Sequence, residues 1–192
     1  MKTLTAGCMA GILVLSGAGG AIANEFEPAL RELAESRIQA MVSDPAIVAA
    51  IQAQNGKHAG MSEDQIIELD KKWRAEVGGG STPTIDPVLS GTVADMLRVM
   101  RDDSAGLFTE IFVMDNVGLN VAASDTTSDY WQGDEAKWQQ TFPVGAGAMH
   151  ISEVELDEST QSYQAQVSVS IAGPDGAPVG AATFGVNIEY LE

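Results

Sequence analysis

Gly106 divides this chain by the period of its apolar residues, and that change limits the folds open to it. Ahead of it the spacing is helical. Phe26, Leu30, Leu33, Ala34, Ile38, Met41 and Val42 recur as on one face of an amphipathic helix. Ser43-Asp44-Pro45 reads as an N-cap with proline in the first turn of a second helix, carrying Ile47, Val48 and Ile51 and ended by Asn55-Gly56. Ser62 to Gln65 forms a capping box for a third helix with Ile66, Leu69, Trp73 and Val77 on one face. A glycine-rich loop follows, and Asp86-Pro87 opens a fourth helix through Val93, Met96, Leu97 and Met100. Behind Gly106 the period is two. Leu107–Met114 and Leu119–Ala123 flank an Asp-Asn-Val-Gly turn, and Ala148–Leu156 alternates. Ser162–Ile171 sends Tyr163, Ala165, Val167, Val169 and Ile171 one way and Gln164, Gln166, Ser168 and Ser170 the other. A Gly-Pro-Asp-Gly turn leads into a last strand, Pro178–Tyr190. Helices first and strands afterwards, joined by short turns, predict an α+β fold with five strands in an antiparallel sheet.

The first 23 residues are set apart from that pattern. Lys2, an apolar run from Ala6 to Ser16 and Ala21-Ile22-Ala23 make a cleavable export signal, with cleavage after Ala23. The run is too short and glycine-rich to span a bilayer. Cys8 follows Leu-Thr-Ala-Gly, which loosely resembles a lipidation box, but it stands before the apolar run instead of after it. The expectation is a periplasmic domain, residues 24–192, without cysteine and without membrane insertion, its helical part at 24–105 and its sheet part at 106–192. The net charge of −17 argues against nucleic acid and anionic lipid, which both need a basic footprint.

Catalytic motifs are missing. There is no Gly-x-Ser-x-Gly elbow and no nucleophilic cysteine in the domain. His58 and His150 lack metal-ligand spacing, and Asp125–Asp134 lacks that of a calcium loop. Asp134, Glu135, Asp157 and Glu158 would serve as an acid–base pair only if burial or pairing shifted one of them. The reading is a protein that is not an enzyme and carries no cofactor. The segment "SDYWQGDEAKW", Ser128–Trp138, holds two of the three tryptophans in a chain only 6% aromatic. Such a segment packs as core, covers a pocket, or does both.

The pieces "VMDNVGLNVA", "SDYWQGDE" and "LDEST", with the alternating strand after them, resemble the single Cache domain, a PAS-like extracellular sensor module. The leading helix and the "SDPAIVAAI" step resemble that family's helical part. The resemblance covers essentially all of residues 24–192 and implies a long helix packed on a five-stranded antiparallel sheet. It also implies a pocket between the sheet and the loop–helix segment after the second strand. In the family's receptors the last strand leads into a transmembrane helix, whereas this sequence stops at Glu192.

On that basis the expected ligand-binding residues are Tyr130, Trp131, Asp134, Trp138, Asp157 and Tyr163. From Asp102 to Glu192 there are 15 acidic residues and one fixed cation, Lys137, so an amine or zwitterion is expected to bind ahead of a carboxylate. The polar face of the Ser162–Ile171 strand is either solvent-facing or the pocket floor. Two functions follow: a small-molecule-binding sensor module acting with a separate membrane partner, or an accessory protein that uses its surface to bind another protein.

Overall fold

The computed structural model describes residues 24–157 and 161–191; the expected export signal and Glu158, Ser159 and Thr160 lie outside the described residues. The first helical rod is α1 (Glu27–Leu33), a π-helical turn (Ala34–Ile38) and α2 (Gln39–Val42) in unbroken succession. Its buried row, Leu30, Ala34, Ile38 and Val42, steps by four residues. In a regular α-helix such a row drifts around the axis by about 40° per step. The wider π turn takes up that drift and keeps the row facing the sheet.

The helix α3 (Pro45–His58) starts where expected, with the Asp44 side chain accepting from the Ala46 N–H at 2.8 Å. It does not end at Asn55-Gly56 but continues to His58. Tertiary hydrogen bonds hold that last stretch. Asn55 donates to the Val179 carbonyl at 2.8 Å and accepts from the Asn116 N–H at 2.9 Å, while His58 Nδ1 lies 2.6 Å from Asp115 Oδ2. The capping box of α4 (Glu63–Glu76) is formed, with both Ser62 and Gln65 side chains in place. Its buried stripe is Ile66, Asp70 and Trp73, whereas Val77 sits at the C-cap, exposed. The expected fourth helix is two helices, α5 (Asp86–Leu89) and α6 (Thr92–Asp102), interrupted at Ser90-Gly91.

The strands are β1 (Phe108–Met114), β2 (Asn120–Ala123), β3 (Met149–Ile151), β4 (Glu155–Asp157), β5 (Ser162–Ala172) and β6 (Pro178–Asn187), with α7 (Ala136–Gln139) between β2 and β3. All pairings are antiparallel, in the order β2-β1-β6-β5, with β3 and β4 sharing the far edge of β5. The fold is therefore α+β, helices packed on an antiparallel sheet. The sheet has five positions but six strands, because the stretch expected to be one strand is split. Ser152 causes the split: its N–H donates to the Gln166 carbonyl, and its hydroxyl, instead of a backbone carbonyl, accepts from the Gln166 N–H at 2.8 Å.

One sheet face is covered by the rod, α3 and α6. Ile111, Val113, Ala165, Val167, Val169, Ala182 and Phe184 meet Leu30, Ile38, Ile47, Ile51 and Leu97 there. The opposite face carries a second apolar cluster at the β1–β2 end, where Phe112 and Met114 pack with Trp73, Leu119 and Tyr130. Towards β5 the same face turns polar, and there the cavity lies.

Candidate functional site

Strand alternation builds the cavity floor. With Ala165, Val167 and Val169 facing the helices, Gln164, Gln166, Ser168 and Ser170 are placed on the other side. This face is not solvent-washed throughout. Ser168 and Thr183 are fully buried and share a hydrogen bond of 2.9 Å. Beside them opens a cavity of about 550 Å³ over Gln164 and Gln166, walled by the residues leading into α7 and by β3 and β4. Four carboxylates, Glu135, Glu153, Glu155 and Asp157, line it, with Lys137 and His150.

The floor is wired by amides. Thr109 Oγ1 donates to Gln164 Oε1 at 2.6 Å, and Gln164 Nε2 donates to Asp157 Oδ2 at 2.7 Å. Gln166 Nε2 donates to Glu110 Oε1 at 3.1 Å. Lys137 Nζ lies 3.0 Å from Glu135 Oε2 and 5.6 Å from the centre of the Phe112 ring, so this cation of the Ser128–Trp138 segment, the lid, is held over an aromatic face of β1. Burial raises the Glu110 pKa above the usual carboxylate value; the Gln166 hydrogen bond and Lys137 oppose that rise, and Asp157 and Asp125 add to it. Burial, then Lys137, lowers that of His150.

Of the six residues expected from the sequence, Asp157 lines the cavity. Tyr130 is buried in the second apolar cluster, stacked on Trp73 at 5.1 Å between ring centres, its hydroxyl pKa pushed up to about 12 by burial and by Asp115. Trp131 donates from Nε1 to the Val117 carbonyl at 2.9 Å, and Trp138 to that of Asp115 at 3.1 Å, with its ring against Phe142. Both indoles thus fasten the lid onto the β1–β2 turn. Asp134 is exposed, and Tyr163, near the start of β5 and opposite Leu156 of β4, is 52% exposed. The structure brings Glu110, Lys137 and the two glutamines to the cavity region instead of the aromatic cluster. Glu110 had a visible signal, as the only charge in the apolar run Phe108–Met114. Among the described residues no group of three or more His, Cys, Asp or Glu converges as for a metal ion, and no helix is long and apolar enough to cross a membrane.

No protein-family model and no curated protein matches the chain. Solved structures do. The ligand-binding domain of the Campylobacter jejuni chemoreceptor Tlp3, in complex with 4-methylisoleucine, is 13% identical with a TM-score of 0.40, over 86% of this chain and 61% of that one. That of the Pseudomonas aeruginosa PAO1 amino acid chemoreceptor PctC, in complex with GABA, is 13% identical with a TM-score of 0.42, over 84% and 63%. The extracellular domain of the histidine kinase rpHK1S-Z16 is 16% identical with a TM-score of 0.42, over 82% and 60%. Two of these three are ligand-binding domains of chemoreceptors. The chain spans less than two thirds of the length of each.

Proposed function

We propose that the chain is an exported, Cache-type small-molecule-binding module, acting in the periplasm with a separate membrane sensor, and that its ligand sits over Gln164 and Gln166. The observation that carries this reading is the cavity itself: about 550 Å³, a size suited to a small metabolite, with a floor of amides already fixed by their partners. Four lining carboxylates against Lys137, itself paired with Glu135, favour a ligand with an ammonium group. A zwitterion fits as well, its carboxylate taken by Lys137.

Thermal melts with separate panels of amines, α-amino acids and carboxylic acids test the proposal. At a hundredfold excess over Kd, a bound compound contributes about 2.7 kcal/mol, which raises Tm by about 5–10 °C for a domain of this size. Amines or amino acids should give the rise, and Asp157→Asn should reduce it without changing the circular dichroism. Stabilisation by dicarboxylates alone would overturn the ligand class. No stabilisation by any panel, together with co-purification of a protein, would turn the assignment to the accessory role.

A further inference from the structure

Glu110 reaches the cavity region by a specific local design. The β1–β6 register shifts between Phe108 and Glu110, and this bulge turns both Thr109 and Glu110 to the cavity face, where each meets a glutamine of β5. Glu110 stands opposite Gly185 on β6, and Gly185 stands opposite Gln166 on β5. A Cβ on Gly185 would lie 2.3 Å from Thr109 Oγ1, 2.9 Å from Glu110 Cγ and 3.3 Å from Gln164 Oε1. A strand interior disfavours glycine, and here its bare backbone is the trough through which the Glu110 side chain crosses to Gln166.

We propose, resting on the small-molecule reading above, that Glu110, which stands behind the lining residue Gln166 and is bonded to it, is the specificity-determining residue of this cavity and receives an ammonium or guanidinium group that displaces the Gln166 amide from it. The charged groups around the site come from every side: Glu135 and Lys137 from the lid, His150 from β3, Glu153 from the β3–β4 link, and Glu155 and Asp157 from β4. Asp125, beyond β2, also acts on Glu110 and is tied to Arg101. Lys137 is tied to Glu135, which leaves the site with an excess of negative charge. Burial keeps Glu110 protonated to higher pH than an ordinary glutamate. At pH values where the carboxyl is still protonated, an entering cation replaces that proton: the neutral carboxyl and the ligand's ammonium become a carboxylate–ammonium pair, and one proton leaves to solvent.

Isothermal titration of the full domain with 1,4-diaminobutane and with L-alanine, and with succinate as the carboxylate probe, tests this in buffers of unlike ionisation enthalpy. Over the acid range of a raised glutamate, affinity for the amine probes should climb by up to about tenfold per pH unit, with proton release. Glu110→Gln should flatten that slope, abolish the release and weaken binding near neutral pH by about tenfold or more. Gly185→Ala, which crowds the Glu110 side chain without changing its charge, should also weaken binding. If Glu110→Gln does not fold, the wild-type proton count decides, and its absence overturns the assignment. Amines binding equally to wild type and a folded Glu110→Gln, or succinate binding where amines do not, would overturn it while leaving a ligand cavity in place. If none of the three probes binds, this assignment falls, and the melts with the wider panels decide the small-molecule reading separately.

Discussion

Asp70 is a carboxylate on the buried stripe of α4, where the spacing from Ile66 to Trp73 would seat an apolar residue. Its Oδ1 accepts from the N–H groups of Tyr130 and Trp131 at 2.9 and 3.1 Å, and its Oδ2 accepts from Arg74 Nε at 2.7 Å. One side chain thus satisfies two backbone donors at the start of the lid. Asp70→Ala should cost about 2–4 kcal/mol by orphaning them, whereas Arg74→Ala, which removes the more exposed partner, should cost under about 1 kcal/mol. Denaturant melts of the two variants measure this, and equal losses would contradict the role given to Asp70. Gly118 is the second residue-scale lever. It takes φ +87°, and a Cβ there would stand 2.5 Å from Gly133 Cα. Gly118→Ala should therefore destabilise by about 2 kcal/mol or more and loosen the lid. At this scale the sequence was a partial guide. Aromatic content marked Ser128–Trp138 as a segment that packs as core, covers a pocket or does both, but ring direction depends on partners far along the chain, such as Trp73 for Tyr130 and Asp115 for Trp138.

Elements whose signals are local were legible: the Ser62 capping box, the Asp44 N-cap, the β5 alternation and the β1–β2 turn all stand where composition and spacing put them. Elements bounded by tertiary bonds were not. The last turn of α3 survives Asn55-Gly56 because Val179, Asn116 and Asp115 supply its partners. The outer strand divides because a serine hydroxyl enters the ladder. The four-residue α7 joins these scales, as Lys137 faces the cavity while Trp138 is anchored to the β1–β2 turn. Ligand binding should therefore move Trp138 most among the three tryptophans. The fluorescence response to a binding amine should persist in Trp73→Phe and Trp131→Phe and vanish in Trp138→Phe. A response lost only in the Trp73 variant would place the ligand against α4 instead.

Across the whole molecule, one sheet serves two purposes: its helix-covered face carries the main core, while the other is apolar at the β1–β2 end and polar under the cavity. The period change at Gly106 foretold the layers and the polar row on β5. It left open whether that row met solvent, since this depends on where the lid and β3–β4 fold over it. The net charge of −17 belongs to this scale too. Among the described residues most acidic side chains lie on the helices, on the lid and on β4, so the chain repels itself and attracts cations to the cavity mouth. Salt screens both effects, since the Debye length falls from about 30 Å at 0.01 M to about 8 Å at 0.15 M. The two consequences have opposite signs. Sodium chloride added over that range should raise the Tm of the free protein, as self-repulsion is relieved, and should weaken the binding of 1,4-diaminobutane, as steering and pairing are screened. Glu110→Gln should keep the first response unchanged, because one charge in a total of −17 alters the overall field little. It should show a smaller second response, because the pairing at Glu110 is then absent. Amine affinity indifferent to salt, in a protein whose Tm does rise, would mean that the ligand is held by the amides of the floor and not by charge.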